Sequence, residues 1–377
     1  MEWLISSAAV LLAISTLLHV SSILVAAIRF GKGKAAVSAT PISADVTIIR
    51  PVCGIENFIE ATLKSTFQLD HPQYKVLFCV ASSFDPVIPL IRRLIAEHPH
   101  IPARLLIGHT GINSNPKLNN MAKGWDAASG DWILMADSNV LMPRDYIQRL
   151  LGVWRADTGL VCSPPVGCVP KGLWAELECA ILNTYQARWQ CFADSAGFGY
   201  AQGKTMLWRR DFLGAAGGVK ALRFEVAEDA AATKLVRRAG LRVKLVTHPF
   251  EQPLGSRCAV DIWRRQIRWA RLRRHTFPLI FIPEIFAGGL FPLMACALVA
   301  ATAGWPMIAT TIAFGIAWYA AEAVLAHVAG WHLTMRSPAI WLVRDVMLPA
   351  IWLASWVGNS FDWRGNSMRV AGSERSA

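Results

Sequence analysis

The pattern of apolar and polar positions divides the chain into three regimes. Trp3 to Ile28 is apolar and uncharged, with His19 its only titratable side chain. It is long enough to span a bilayer and too long for a signal-peptide core, with no basic stretch before it and no cleavage site. Arg29, Lys32 and Lys34 follow at once, which by the positive-inside tendency puts the N-terminus outside and the next residues in the cytoplasm. Residues 1–30 therefore read as a transmembrane signal anchor.

From Asp45 to about His275 short apolar runs alternate with mixed helical stretches, the signature of an α/β domain with a mostly parallel sheet. Strands are predicted at Val46–Ile49, Tyr74–Ala81, Arg104–Ile107, Trp132–Ala136 and Leu160–Cys162, with a further short apolar run at Thr205–Trp208. Helices are predicted at Ile55–Phe67, Pro86–Glu97, Leu118–Ala128 and about Leu173–Phe192, and one running through Arg238. This domain is expected to occupy 36–275 and to end in a basic amphipathic helix. After His275 charge nearly vanishes, and Thr276–Ala303, Pro306–Gly330 and Ala339–Val357 are candidate spans of a C-terminal membrane region, 276–358. Three full crossings would leave Arg364, Arg369 and Arg375 of the polar tail, 359–377, outside. Phe277–Ile285, broken by Pro278, Pro283 and Glu284, is therefore expected to lie in the interface or re-enter.

Composition supports a membrane protein. The formal charge is +12, but 54% of the 377 residues are hydrophobic and the basic residues flank long uncharged segments. That argues against a soluble nucleic-acid binder, which would expose its charge on a soluble fold. The eight Cys are scattered without a Cys-x-x-Cys pair, so they read as buried apolar residues in a reducing compartment.

The candidate chemistry sits where strands end. Asp137 closes the apolar run Trp132–Ala136, and in open α/β sheets ligands bind beyond the carboxyl ends of strands. Its carboxylate there either holds a hard divalent cation that in turn holds a diphosphate, or starts a loop. Asp85, after the second strand, is either a helix N-cap before Pro86 or a ligand at a nucleotide crevice. Glu228 and Asp229 fit the first turn of a helix, where Asp229 is also placed to take a proton from a hydroxyl. Asn115, Lys117 and Asn119 precede the Asp137 strand as phosphate or ribose contacts or as a solvated loop. Trp263 to Arg274 reads as a basic amphipathic helix on anionic lipid. Its Arg265 and Arg268, three apart, share a face that suits a leaving diphosphate, and Trp269 suits an interface or an acceptor. The glycines of Gly197–Gly203 lack the spacing and preceding strand of a dinucleotide fingerprint.

Together these residues resemble the family 2-like glycosyltransferases of GT-A fold, and more narrowly the ceramide glucosyltransferase family, glycosyltransferase family 21. The resemblance is carried by Arg50-Pro51-Val52-Cys53-Gly54, Leu69 to Val76, Phe84-Asp85-Pro86, Asn115-Pro116-Lys117-Leu118-Asn119-Asn120, Asp137-Ser138-Asn139, Ala227-Glu228-Asp229 and Arg265-Gln266-Ile267-Arg268-Trp269, in order over most of the chain. It implies an inverting transferase moving glucose from UDP-glucose to the primary hydroxyl of ceramide, a membrane lipid. It implies Asp85 by the uridine, Asp137 on the metal (Mn2+ or Mg2+) and diphosphate, Lys117 at the donor, and Asp229 as general base. Arg265, Arg268 and Trp269 would contact diphosphate and acceptor. The implied placement is a multi-pass membrane protein with a cytoplasmic catalytic domain, in the inner membrane if the chain is bacterial, as its Ala- and Arg-rich composition suits. The chain departs from the animal members at Asn139, where glycine is usual, and at Thr184–Trp189, which replaces a His-Pro-containing stretch. Another sugar, such as N-acetylglucosamine, galactose or glucuronic acid, and a hopanoid acceptor are the alternative within the class. A non-catalytic module binding nucleotide or lipid through its basic helix is the alternative outside it.

Overall fold

A computed structural model describes residues 2–31, 44–363 and 366–370. Lys32, Lys34, Arg364 and Arg375, on which the orientation argument draws, lie outside the described residues. In chain order the elements used below are α1 (Glu2–Gly31), β1 (Val46–Val52), β2 (Tyr74–Val80), β3 (Ala103–Ile107), α2 (Pro116–Ala127), β4 (Trp132–Ala136), β5 (Thr158–Cys162), α3 (Leu173–Ala180), β6 (Thr205–Arg209), α4 (Glu228–Arg238), β7 (Arg242–Leu245), α5 (Ala259–Thr276), α6 (Leu290–Thr302), α7 (Met307–Val328) and α8 (Ser337–Ser355). They form two compact units. One is the described part of Met1–Lys32 with Gly167–Phe192 and Ser256–Asn359, and the other the described parts of Gly33–Val166, Ala193–Gly255 and Ser360–Ala377.

The α/β unit is built on a seven-stranded sheet of order β3-β2-β1-β4-β6-β5-β7. The β-branched run Val46-Thr47-Ile48-Ile49 makes β1 buried along its whole length, as a central strand covered on both faces requires. β1 pairs in parallel with β2 from Val46↔Tyr74 to Val52↔Val80 and with β4 from Val46↔Trp132 to Ile49↔Met135. The strand order reverses there, so a crevice opens beyond the carboxyl ends of β1 and β4. Asp137 follows β4 at that edge. β6 runs against both of its neighbours, pairing Ala136 with Thr205 and Trp132 with Arg209. That reversal brings the residues before β6, Gly203 and Lys204, to the end of β4.

The expected parallel α/β sheet is thus present, with one antiparallel strand inside it. α2 packs against β1 and β2. The approach is close enough that a Cβ on Gly124 would lie 2.7 Å from both Cys79 Sγ and Ile49 Cγ2. The core joins Ile48, Phe78, Leu134, Tyr146, Val161 and Leu207 into one cluster. Within the polar tail, Ser360–Trp363 pairs antiparallel with Asn366–Arg369.

In the helical unit, α1, α7 and α8 are long and apolar enough to cross a membrane. Pro278–Phe286 and α6 form a pair bent by 48° at a break. The segment expected to be interrupted at Pro278, Pro283 and Glu284 consists of two short helices, Pro278–Phe281 and Ile282–Phe286, and the bend comes after them, between Phe286 and Leu290. The helix expected over Leu173–Phe192 divides into α3, a π-helical stretch Ile181–Ala187 and a further helix Arg188–Ser195.

The few charged residues of the apolar segments meet one another. Arg344 donates to Glu322 Oε1 and Oε2 at 2.9 Å each, to Thr184 Oγ1 at 2.7 Å and to Asp345 Oδ1 at 2.8 Å. Arg188 lies 3.6 Å from Glu322 and 3.1 Å from His19 Nδ1, and the His19 ring stacks on Trp318 at 3.6 Å. Asp345 also accepts the Gly289 amide at 2.7 Å, at the start of α6. Two guanidiniums face two carboxylates, which is how charge is tolerated in an apolar bundle. His19 of α1 belongs to this network, so α1 is built into the unit.

Candidate active site

The site in the α/β unit starts from Arg50, a residue whose role the sequence did not indicate. Its side chain is fully buried at the end of β1. Nη2 donates to the carbonyls of Asp137, Ser138 and Val140 at 2.8, 3.1 and 3.1 Å, and Nη1 donates to Thr62 O at 2.7 Å. Burial lowers its pKa to about 10, and it still carries a charge at neutral pH. A guanidinium's fixed fork can tie several carbonyls at once, so Arg50 sets the turn that presents the Asp137 carboxylate.

Around that carboxylate stand two ammonium groups. Lys117 Nζ lies 2.6 Å from Asp137 Oδ1 and Lys204 Nζ 3.1 Å from Oδ2. Burial opposes the charge on Asp137, yet Lys117 and Lys204 outweigh it and hold the carboxyl well below the usual range. Lys117 also reaches Glu228 Oε1 at 2.6 Å and donates to Gly203 O at 2.7 Å. Burial works against its charge as well, and Asp137 and Glu228 together keep its pKa above the ordinary lysine value. Lys204 donates to Asn139 Oδ1 at 3.0 Å.

Lys117 is aimed by the start of its helix. Asn115 caps α2, accepting from the amides of Lys117 and Leu118 at 2.9 and 3.1 Å, with Pro116 in the first turn. The Asn115 amide donates to Glu228 Oε2 at 2.7 Å and to Val226 O at 3.0 Å, joining α2 to the start of α4. Asn119, a candidate phosphate or ribose contact, instead accepts from the amides of Ile112 and Asn113 at 2.8 and 3.1 Å and shapes that loop.

Asp229 lies in the first turn of α4. Its Oδ2 accepts the Gly203 amide at 3.1 Å and its Oδ1 accepts the Ala230 amide at 2.8 Å. Burial pushes its pKa up to about 6, with the Glu228 charge adding to the rise. A carboxyl so tuned is ionised at neutral pH and close enough to it to take a proton. Gly203, just before β6, serves this arrangement: a Cβ there would lie 2.7 Å from Glu228 Oε1, 3.2 Å from Lys117 Nζ and 3.5 Å from Asp229 Oδ2.

Asp85 follows β2. Both its oxygens accept the Gly54 amide, at 3.1 and 3.0 Å, and Oδ1 accepts the Val87 amide at 2.9 Å. It therefore ties the end of β1 to the turn that opens the next helix. Arg265, Arg268 and Trp269 lie on α5, in the helical unit. Arg265 Nη1 donates to Glu178 Oε1, and Arg257 Nε to Glu178 Oε2 at 2.9 Å.

The structure thus brings Lys117, Asp137 and Asp229 into one site, and adds Glu228, Lys204, Asn115 and Arg50 to it. Glu228 and Asn115 stand in stretches already singled out. Lys204 had no local signal, and Arg50, though it opens one of the stretches quoted for the resemblance, had no role assigned, because their roles depend on the reversal of β6 and on the burial of β1. Among the described residues no group of three or more His, Cys, Asp and Glu is placed to hold a metal ion.

A sheet that reverses order at an acidic strand end, with an antiparallel strand beside it, is the GT-A glycosyltransferase arrangement. A mannosyltransferase from Pyrobaculum calidifontis, solved in complex with GDP-Man and Mn2+, shares the fold with a TM-score of 0.51, covering 93% of this chain and 98% of its own at 20% identity. The model for glycosyl transferase family 21 matches residues 14–376, and the chain belongs to that family. Two similar relatives are ceramide glucosyltransferases 3 and 1 of Caenorhabditis elegans, both 25% identical. They align over 336 and 358 residues, spanning 86% and 89% of this chain and 72% and 73% of their own lengths. The protein is a glycosyltransferase.

Proposed function

We propose that this protein transfers glucose from UDP-glucose to the primary hydroxyl of ceramide with inversion, at the cytoplasmic face of a membrane that its apolar helices cross several times. The observation that carries the reading is Asp229, a carboxylate fixed by two backbone amides and tuned upward beside the Lys117–Asp137–Glu228 cluster. The lipid hydroxyl is a weak nucleophile until a base receives its proton. In this reading the hydroxyl oxygen bonds to the anomeric carbon as the bond from that carbon to the diphosphate oxygen breaks. The proton passes to Asp229 and UDP departs.

Lys117 and Lys204 offer positive charge for the diphosphate at the end of β4, and Asp85 stands by the uridine. Arg265, Arg268 and Trp269 together serve the diphosphate and acceptor. A divalent ion, Mn2+ or Mg2+, fits the donor set: Asp137, Glu228 and Asn139 offer only hard oxygen atoms, and the Lys117 ammonium already finds a cation's environment between two of them. Asp137 would hold it, and the ion would neutralise charge that develops on the leaving diphosphate. The family membership and the ceramide glucosyltransferase relatives support this donor and acceptor.

The test is release of UDP by the detergent-purified full chain, given divalent metal and ceramide, across a panel of sugar nucleotides. Fastest release with UDP-glucose is expected. Turnover only with N-acetylglucosamine, galactose or glucuronic acid donors, or only with a hopanoid acceptor, would move the assignment within the class. No release with any pair would leave a binding module.

A further inference from the structure

The helix α8 qualifies as a span by length and composition, yet it lies against the arginine-rich α5. One apolar cluster joins Ile262 of α5 to Ile340 and Trp341 of α8, and a second joins Ala270 to Ile351. The two helices therefore run side by side in the same direction. At their far ends Arg271 donates to the Val357 carbonyl and Arg274 to Asn359 Oδ1, with the Arg274 guanidinium 5.2 Å over the Trp356 ring. Near one end α5 carries the exposed Arg264, and near the other Arg271, Arg273 and Arg274. Those ends are ~15 Å apart along the axis. If the pair stood across a bilayer, one end of that row would enter hydrocarbon, where an arginine is strongly disfavoured. Lying flat, both ends stay among the headgroups.

The packing of α8 agrees. Its polar ties to α7 fall in its first half, Arg344 on Glu322 and Asp345 on Tyr319. Its second half turns to the short helices before α6, where Trp352 Nε1 donates to the Phe281 carbonyl at 3.0 Å. Leu342, Val346, Ala350 and Leu353 are exposed and recur at helical spacing, making one apolar stripe. By contrast α1 and α7 keep company along their length. The His19 ring stacks on Trp318, the Phe30 ring lies 5.2 Å from Trp331, and α6 packs on both helices.

We infer that α8 does not cross the membrane but lies with α5 along one headgroup layer, its apolar stripe toward the acyl chains and the α5 arginines among lipid phosphates. The crossings are then α1, α6 and α7. The last two return the chain to the side it left, so residues after Asn359 emerge on the side of the membrane that α5 occupies. That puts Arg364, Arg369 and Arg375 with the other basic residues, as the positive-inside tendency favours. Composition points to Phe277–Ile285 as the segment that avoids crossing, whereas the packing against α5 points to α8. The inference rests on the reading that apolar helices of this chain cross a bilayer, and on no feature of the reaction.

The experiment is labelling of the full chain in sealed membrane vesicles with an impermeant maleimide, before and after the vesicles are opened. Ala303→Cys, Met335→Cys and Ser360→Cys, all at exposed positions, are each made in a parent carrying Cys53→Ser and Cys258→Ser. Met335→Cys and Ser360→Cys are expected to react from one side and Ala303→Cys from the other. Any other partition overturns the inference; a crossing α8 would separate Met335→Cys from Ser360→Cys. Nitroxide labels at Leu342, Val346 and Leu353, read by collision with oxygen and with a water-soluble nickel complex, decide the matter if a cysteine fails to react. An α8 lying flat places all three within about 5 Å of one depth, less than a helical turn. A crossing α8 separates Leu342 from Leu353 by about 16 Å of depth and overturns the inference. A chain that alkaline carbonate strips from the vesicles would refute the membrane reading itself, and the inference with it, which separates the two failures.

Discussion

The Lys117 ammonium lies 2.6 Å from Oδ1 of Asp137, so the carboxylate at the end of β4 is matched by a cation from the start of the preceding helix. The same ammonium lies 2.6 Å from Glu228. Lys117→Met would keep most of the side chain's length and remove the charge, leaving two carboxylates facing each other. Stability is expected to fall by about 3 kcal/mol, the cost of stranding a buried charge pair. Affinity for UDP should drop at the same time. Added Mn2+ is expected to raise the Tm of the variant more than that of the native protein, because the ion would take the place of the ammonium. Thermal unfolding with and without the metal measures this, and equal shifts would argue against a shared cation position.

The raised Asp229 pKa makes a signed prediction. A general base must be ionised, so kcat is expected to fall as pH drops through about 6. Stability should not follow the same course at this residue. Its folded pKa lies above the unfolded value, so its ionisation opposes folding, and the group by itself favours the fold as pH falls through about 6. Asp137, held below the ordinary range, acts the opposite way: its contribution is present above the unfolded carboxylate pKa and is lost in more acidic solution. Activity should therefore fade while the protein is still folded. Asp229→Asn is expected to abolish transfer and leave UDP binding nearly unchanged; turnover by that variant would remove Asp229 from the base role.

The strands that carry Asp85 and Asp137 were legible in the sequence because buried parallel strands are short apolar runs bounded by turn residues. Pro278 and Pro283 marked the segment before α6 as broken into short helices, whereas its 48° bend lies beyond them, between Phe286 and Leu290. Other features depend on contacts between distant parts of the chain. Glu178 and Arg265 are 87 positions apart, and His19 and Arg188 are 169 apart, so no local spacing announces either pair. β7 is only four residues long and begins with an arginine, too brief and too polar to stand out from the preceding helix. The π-helical stretch Ile181–Ala187 contains no proline or glycine that would mark a break in the helix. Lys204 reads as a loop residue until β6 is seen to run backwards.

The buried network of the helical unit gives a stability prediction. Glu322 receives two hydrogen bonds from Arg344 and lies 3.6 Å from Arg188, all three fully or nearly fully buried. Glu322→Gln keeps the shape but leaves two guanidiniums against Asp345 alone. A loss of about 3–5 kcal/mol is expected, read as a lower Tm in detergent. Replacing exposed apolar residues of α7, such as Ile312 or Ile316, by Ala should cost much less, because most of each side chain lies on the surface of the unit. A Glu322→Gln protein as stable as the native one would show that the ion pairs are not what holds α7 to α8.

Gly203→Ala separates the geometry of the site from the stability of the fold. The backbone at Gly203 does not adopt the left-handed conformation that would strain alanine, so the change adds only a methyl group. That methyl would lie 2.7 Å from Glu228 Oε1, inside contact distance, and 3.2 Å from Lys117 Nζ. Both are the far ends of flexible side chains and can retreat. The fold should therefore lose only about 1 kcal/mol, at the low end of what an inserted methyl costs in a packed site. The cost should appear in the chemistry, because Lys117 can move from Glu228 only by giving up its distance to Asp137 or to the Gly203 carbonyl. Asp229, whose carboxylate accepts the Gly203 amide, would shift with them. We expect kcat to fall at least about a hundredfold, as misplacement by an ångström can do, with Tm within a few degrees of native. Substitution of Gly152, where a Cβ would meet nothing within 4 Å, should leave activity unchanged in the same assay. Native kcat in Gly203→Ala would mean that the cluster around Lys117 is not where transfer takes place.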